Sequence, residues 1–586
     1  MFGEIIEITK NYAIVKLTGD AIDKDILNYH VVFVDDNKKI LGEVEEISGG
    51  NVRISFLGEL TDTKFVGGII RKPSLKASIR IVNQDELSLI VGKGDAESMV
   101  LGVSPLYNDC PISMNINSFF SSHNAIFGNT GSGKTCGVSR IIQNLFTNPS
   151  SVPFNATLFI FNSYSEYHNA FKDLDKINPN FYYKRYSSSS EQQTDELLKI
   201  PLWLLDVDDY ANILDVSDYS QIAVIEKTLS LVSIFARHDE ESIRYKNHLI
   251  AKAILSIMYT NQVSAKIRDQ IFSILTDCNT KELNLNKEVE GIGYTRQFRK
   301  CFDTDSKGEF VERILVTKYI EGFIDEDTPW NESYVPIFFT LKDLEVALNF
   351  ALISEGLLLS ERSYSEAVAL KVRLHSIING NYGKYFNVSE YMSLDQFMVS
   401  LIKGSDNKRA QIIHFTLEDI DDRFAKTITK VYARMLFKFT KNLKDRASFP
   451  IHIMLEEAHR YVQKDNDTNI LGYNIFDRIA KEGRKYGLML DLITQRPTEL
   501  NDTTISQCTN FIIFKINHPY DLEYIRKMVP NISADIIEKQ KSLQSGTCVA
   551  FGDIMKIPMI VKMEMPNPAP FSGNCDIFAR WMVKKQ

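Results

Sequence analysis

Two strings in this chain have the residue types and spacing for phosphate chemistry. Gly128-Asn129-Thr130-Gly131-Ser132-Gly133-Lys134-Thr135 fits the spacing G-x-x-x-x-G-K-[ST]. Glycine permits positive φ and close approach of backbone to phosphate, so successive N–H groups can point at the anion. Lys134 would reach the β- and γ-phosphates and the Thr135 hydroxyl would ligate Mg²⁺, while Cys136, next in the chain, reads as a small packing residue beside the nucleotide. Ile451-His452-Ile453-Met454-Leu455-Glu456-Glu457 is an apolar run ending in two carboxylates. There Glu456 would hold the magnesium through water and Glu457 would polarise the attacking water. A third string, Thr494-Gln495-Arg496-Pro497, puts Gln495 where it could sense the γ-phosphate. Arg484 reads in two ways: as an arginine finger reaching into the site of the next subunit, or as a surface salt bridge. The chemistry implied is hydrolysis of ATP with Mg²⁺.

Those residues need a strand, a loop and a helix in that order. Ala125-Ile126-Phe127 supplies the strand, and Val138, Ile141, Ile142 and Leu145 follow at helical spacing. A second strand at 156–161 ends in Asn162-Ser163-Tyr164-Ser165-Glu166-Tyr167, where Glu166 could position water or metal, or simply solvate a loop. Core signals resume with a strand at 411–415 and a helix carrying Phe424, Ile428, Val431, Met435 and Leu436 on one face. A helix at 476–485, strands at 488–493 and 510–516, two short helices, and strands at 547–551 and 558–563 follow. After Pro566, Pro568 and Pro570, the apolar Phe578, Trp581 and Met582 suggest a tail that docks on a neighbouring surface.

Before the core, residues 1–100 read as short strands at 4–8, 12–17, 30–34, 40–47 and 52–57 separated by turns, among them Asp35-Asp36-Asn37. Val52, Ile54 and Phe56 alternate with Arg53 and Ser55, the pattern of a strand with one wet face, and a small antiparallel barrel satisfies it. Between the two halves of the core, 185–405 is helix-rich. Its basic cluster Arg296, Arg299 and Lys300, with Tyr294 and Phe298, could touch a phosphate backbone or form a solvated helix face. The reading divides the chain into a barrel at 1–100, core at 101–184, helical insertion at 185–405, core at 406–566 and tail at 567–586.

At 586 residues the chain exceeds one hydrophobic core. No apolar run approaches the roughly 18 to 20 residues that cross a bilayer, and the N-terminus lacks the look of a signal peptide, so no membrane contact and a cytoplasmic setting are expected. Seven cysteines, at 110, 136, 278, 301, 508, 548 and 575, form no C-x-x-C pair. The formal net charge of −8 repels nucleic acid overall, so any DNA contact would use a concentrated local patch. The chain has no LSGGQ-like signature of an ABC ATPase.

With these strings in hand, the chain resembles the HerA family of DNA-translocating ATPases, related to FtsK. The likeness rests on GNTGSGKT, LEEAHRYV, KEGRKYGL and TQRP together with the β-rich start. It implies an α/β RecA-like P-loop ATPase core with a large helical insertion, an N-terminal small β-barrel of the HAS type, and a homohexamer that moves DNA through a central pore. By motif position it implies Lys134 and Thr135 as nucleotide ligands, Glu456 and Glu457 as magnesium and catalytic carboxylates, Arg484 as the trans arginine and Gln495 as sensor. Where relatives carry an Asp-Pro-His-Gly-Glu-Tyr-like string, only Glu166 and Tyr167 match, which suggests a divergent branch. Similar bacterial proteins pair with a NurA-like nuclease or a sirtuin-like NAD-consuming effector in DNA processing or antiphage defence. The resemblance therefore leaves two roles open, a DNA motor and an ATP-dependent scaffold for an effector.

Overall fold

The computed structural model of the chain describes residues 2–18, 25–35, 38–92, 97–147, 153–189, 195–326, 328, 335–354, 361–404, 407–465, 467–529, 534–571 and 576–582, with the side chains of 361–367, 534–536 and 579 outside that description. Asp36 and Asn37 of the expected turn, Cys575 and the last four residues of the tail lie outside the described residues. The chain forms two compact units, one of Met1–Glu196, Met398–Asp465 and Asn474–Gln586, the other of Leu197–Phe397 and Asn466–Tyr473.

The first unit begins with strands β1 (Gly3–Ile8), β2 (Tyr12–Leu17), β3 (His30–Asp35), β4 (Lys38–Ser48), β5 (Asn51–Leu60), β6 (Phe65–Gly67) and β7 (Ser78–Ile81). They make an antiparallel sheet of order β1-β2-β5-β4-β3-β7, with β6 paired to β5. The period-2 pattern decides which face is buried. Ala13, Val15, Val52 and Ile54 are fully buried, whereas Lys16 and Arg53 point to water. Phe2 N–H donates to the Ile79 carbonyl at 3.4 Å, bringing the two ends of the sheet together.

The helix α1 (Gln84–Val91) leads into the hairpin β8 (Ser98–Ser104) and β9 (Cys110–Asn115) and the short α2 (Ile116–Phe120). Then come β10 (Asn124–Phe127), α3 (Lys134–Thr147), β11 (Leu158–Asn162), β12 (Tyr183–Ser187) and β13 (Glu196–Leu197). In the second unit lies the hairpin β14 (Glu288–Gly291) and β15 (Tyr294–Gln297). The first unit resumes with β16 (Ile412–Thr416), β17 (Ile451–Glu456), β18 (Leu488–Thr494), β19 (Asn510–Phe514), β20 (Thr547–Gly552) and β21 (Met559–Lys562). Its large mixed sheet has the order β13-β12-β16-β11-β17-β18-β10-β19-β20-β21-β8-β9. From β12 to β19 neighbouring strands run parallel, and from β19 to β9 they alternate.

The sequence reading missed β8, β9 and β12. The last, Tyr-Lys-Arg-Tyr-Ser, carries charges that look exposed yet are buried and paired: Lys184 Nζ donates to the Ser400 and Lys403 carbonyls at 2.8 Å each, and Arg185 pairs with Asp195 at 3.1 Å. Helix α3 buries Val138, Ile141, Ile142 and Leu145, the stripe its spacing announced. The second unit is built on helices, including Tyr219–Phe235, Glu240–Met258, Ser264–Asp277 and Leu341–Ser354, with Asp218 and Asp239 capping the first two. Phe235 and Phe350 meet edge to face at 5.1 Å in its interior.

Candidate nucleotide site

Parallel strands present their C-terminal ends as a ligand crevice, and here those ends are level. Phe127 of β10 pairs with Thr494 of β18, and Glu456 of β17 with Ile493 of β18. Strand β18 thus lies between the strand that feeds the glycine loop and the strand that ends in the carboxylates, and it delivers Gln495 between them.

The loop is held on all sides by backbone. Gly128 N–H donates to Thr494 O (3.2 Å), Asn129 N–H to Lys515 O (3.0 Å) and Gly546 N–H to Ser132 O (2.9 Å). Gly131 and Gly133 have φ of 76° and 97°, and a Cβ on Gly133 would meet Gly546 Cα at 2.8 Å. Glycine is required at 133 on both counts. The Ser132 hydroxyl is buried and makes no hydrogen bond. Cys136 is half-buried in the first turn of α3.

Two carboxylates converge on one ammonium, and a third, Glu166, lies near enough to act on its charge. Lys134 Nζ donates to Glu456 Oε1 at 2.9 Å and lies 3.9 Å from Glu457 Oε1. Successive side chains on a strand point to opposite faces, so two adjacent glutamates should diverge. They converge because Glu457 is left-handed (φ 52°, ψ 47°), a conformation that costs a non-glycine residue on the order of 1–3 kcal/mol. The Gln495 backbone works to lower the Glu457 pKa against burial, while Glu457 Oε2 is buried without a hydrogen bond. His459 Nδ1 is 3.2 Å from that oxygen but pairs with the Thr494 hydroxyl at 2.9 Å, and burial lowers its pKa. Thr135 donates its hydroxyl to Glu166 Oε2 at 3.1 Å, and the fully buried Tyr167 donates its hydroxyl to Glu456 Oε2. Thr130 Oγ1 donates to Gln495 Oε1 at 2.5 Å, tying loop to strand tip.

Burial, reinforced by neighbouring carboxylates, raises the pKa of Glu166, Glu456 and Glu457. Burial works against the charge of Lys134, but the Glu456 and Glu457 carboxylates outweigh it and its pKa rises. With all groups ionised the cluster carries two excess negative charges. Hard oxygen donors, an orphaned carboxylate oxygen and a threonine hydroxyl suit a magnesium ion, which is commonly held by one or two carboxylates together with substrate phosphates. Among the described residues no group of three His, Cys, Asp or Glu is arranged to hold a metal ion.

Of the residues singled out in the sequence, Gly128 to Thr135, Glu456, Glu457 and Gln495 come together. Arg484 does not. It is exposed in the turn Gly483–Tyr486, before the seven-residue β18, whereas Gln495 follows that strand. At about 3.3 Å per residue the two are separated by roughly 20 Å or more, and the Arg484 side chain makes no hydrogen bond or ion pair among the described residues. Sequence reasoning left Glu166 undecided and missed Tyr167 as a carboxylate partner; their agreement with the family string was the available signal. In the second unit the basic cluster is engaged in part. Arg296 pairs with Glu312 at 2.9 Å, Arg299 lies over the Phe272 ring while remaining exposed, Lys300 is exposed and Phe298 is fully buried.

The family profile described as "Helicase HerA, central domain" matches residues 101–314. A DNA double-strand break repair helicase HerA of Sulfolobus acidocaldarius is 24% identical over 567 residues, spanning 94% of this chain and 88% of that protein. The HerA of Saccharolobus solfataricus is 33% identical over 178 residues, so the matched stretch spans 35% of that relative's length and 30% of this chain. A probable helicase of Methanocaldococcus jannaschii is 33% identical over 153 residues, 25% of this chain and 29% of its own. Among the described residues no helix is long and apolar enough to cross a membrane. A glycine loop on one strand, paired glutamates on another and Gln495 between them accompany a likeness to HerA helicases that runs along nearly the whole chain and, at 101–314, matches the HerA central domain.

Proposed function

We infer that the chain is an ATP-driven DNA translocase of HerA type whose nucleotide site is completed by a neighbouring copy. The observation that carries this reading is the separation of parts: the phosphate loop, carboxylates and sensor share one end of the core strands, and the exposed Arg484 stands at the other. An arginine so placed serves a site only on the next subunit, as in a head-to-tail ring, here taken as a homohexamer. ATP phosphates displace Glu456 and Glu457 as partners of Lys134. Glu457, turned inward by its left-handed backbone, accepts the proton of the attacking water. Gln495 holds Thr130 through its side chain and its backbone acts on the charge of Glu457, so it couples the state of the loop to the base. Thr135 and Glu456 would hold magnesium, which when bound neutralises charge on the phosphate oxygens. The end-to-end contact from Phe2 to Ile79 supports a HAS-type barrel for the N-terminal sheet.

A second reading is an ATP-dependent hexameric scaffold that activates a NurA-like nuclease or a sirtuin-like effector, in DNA processing or antiphage defence. The pairing of Arg296 with Glu312 and the net charge of −8 favour it, because both weaken attraction to DNA. The deciding measurement is ATP turnover with and without duplex DNA, in the wild type and in Glu457→Gln. A translocase gives DNA-stimulated turnover that falls by about 10² to 10⁴ in the variant, with nucleotide binding retained. Turnover indifferent to DNA, but raised by a co-purifying effector, selects the scaffold. Near-normal turnover by the variant overturns Glu457 as base. Because burial raises the Glu457 pKa, wild-type turnover should begin to fall, as pH is lowered, at a higher pH than an ordinary glutamate would give.

A further inference from the structure

Helix α3 contains one residue that packing does not explain. Gln143 is fully buried beside Val138, Ile141, Ile142, Leu145 and Phe146, and unlike the buried Ser139, whose hydroxyl donates to the Thr135 carbonyl, it has a side chain too long to be satisfied within the helix. A buried amide must find partners, and this one finds them on the chain's own exit segment. Its Oε1 accepts from Asn567 N–H at 2.9 Å, and its Nε2 donates to Pro568 O at 2.8 Å and to Ala170 O at 3.1 Å. One turn earlier Arg140 pairs with Glu564. Three residues beyond Pro568, Phe571 N–H donates to the carbonyl of Glu166 at 2.9 Å. The contacts close a circuit. It runs from Thr135 at the start of α3 to Gln143, across to the exit segment, on to Glu166, and back through the Glu166 carboxylate to the Thr135 hydroxyl. The other side of the Glu166 loop is fastened separately: Ser165 is left-handed at φ 53°, donates its hydroxyl to Thr416 at 3.0 Å and accepts from Arg185 at 2.7 Å.

We propose that Gln143 is a positioning residue of the nucleotide site: by clasping the backbone of residues 567–568 it seats the exit segment against Glu166 and so holds that carboxylate on the Thr135 hydroxyl. The inference rests on the ATP and magnesium reading of the site. It assigns Glu166 a place beside Glu456 and Glu457, and it makes the start of the C-terminal tail part of the site's framework. Because Gln143 reads backbone, side-chain changes at 567 and 568 should be tolerated where loss of the segment is not.

The test uses the full chain carrying Gln143→Ala, a chain ended at Pro566, Glu166→Gln, and the Gln143→Ala/Glu166→Gln double variant. Two readouts independent of turnover are hydrogen exchange of the amides at 166–171 without nucleotide, and the magnesium dependence of binding of a fluorescent ADP analogue. Gln143→Ala and the shortened chain should speed exchange at 166–171 by about fivefold or more, the equivalent of one lost hydrogen bond. Each should also raise the magnesium concentration for half-maximal binding by about threefold or more, leaving binding without magnesium unchanged. Glu166→Gln should reproduce the magnesium shift, and the double variant should add nothing to it. Wild-type exchange and magnesium dependence in both Gln143→Ala and the shortened chain, or a full additive shift in the double variant, overturn the proposal. If Gln143→Ala melts below the assay temperature, the shortened chain, with α3 intact, decides it by the same readouts. A wild-type chain that binds no nucleotide overturns the functional reading, and exchange at 166–171 then decides the clasp by itself.

Discussion

The two ends of the central strands treat charge in opposite ways. At the C-terminal end, Lys134 faces Glu166, Glu456 and Glu457, a buried cluster with more negative charge than it can neutralise. At the N-terminal end the buried charges balance. His452 has Asp491 Oδ2 at 2.8 Å from Nδ1 and the Phe120 carbonyl at 2.6 Å from Nε2. Both partners can only accept, so both ring nitrogens carry hydrogen and the imidazole is charged. Asn124 donates to the other oxygen of Asp491, and Asn510 donates to Asn124 Oδ1 at 2.9 Å. Side chains of β10, β17, β18 and β19 are thereby locked together at one end, leaving their other ends to carry the glycine loop, the two glutamates and Gln495. A balanced buried network acts as foundation, and an unbalanced one is a site awaiting a charged ligand. Arg484 stands exposed at the foundation end.

The comparison breaks most directly at Arg484. Arg484→Ala should leave the melting temperature unchanged yet lower turnover by about 10³ or more. Mixing Arg484→Ala with Lys134→Ala chains should restore part of the activity, because a mixed ring pairs an intact loop with an intact arginine. No recovery on mixing would return Arg484 to the role of a surface residue. The foundation end is tested by Asp491→Asn, which strands a buried imidazolium and should cost about 3–5 kcal/mol of stability. Burial opposes the His452 charge, but Asp491 outweighs it and the pKa is raised. Stability from this pair is therefore fully present below the ordinary histidine pKa and is lost as pH rises through the raised one. A wild-type melting temperature that falls over that window, and a flat profile in Asp491→Asn, would support the balanced-pair description. The smallest effect is expected from Thr130→Val, which removes one hydrogen bond to Gln495, worth about 1 kcal/mol, and should slow turnover by about fivefold with little change in stability.

Much of the site was legible in the primary structure because each part is a contiguous string with its own physical job. Glycines at 131 and 133 permit positive φ, and an apolar strand running into Glu456 and Glu457 announces a buried strand with a polar tip. Most of the core strands from β10 to β21 were also legible, since parallel strands covered on both faces are continuous apolar runs. Strand β12 was hidden because Lys184 and Arg185 look like surface residues until carbonyls and Asp195 surround them.

What the chain determined by itself was local: the glycine loop, the polar strand tips at Glu456, Glu457 and Gln495, and the alternation of the N-terminal strands follow from backbone sterics and hydrophobic periodicity within a few residues. The tertiary structure decided everything that depends on distance between remote segments. It turned Glu457 toward Lys134 and set Tyr167 against Glu456. It paired Arg296 with Glu312. It also stationed Arg484 at the far end of β18 and brought the exit segment onto Gln143. Partner choice among buried polar groups is settled by packing and desolvation, which no spacing along a chain records.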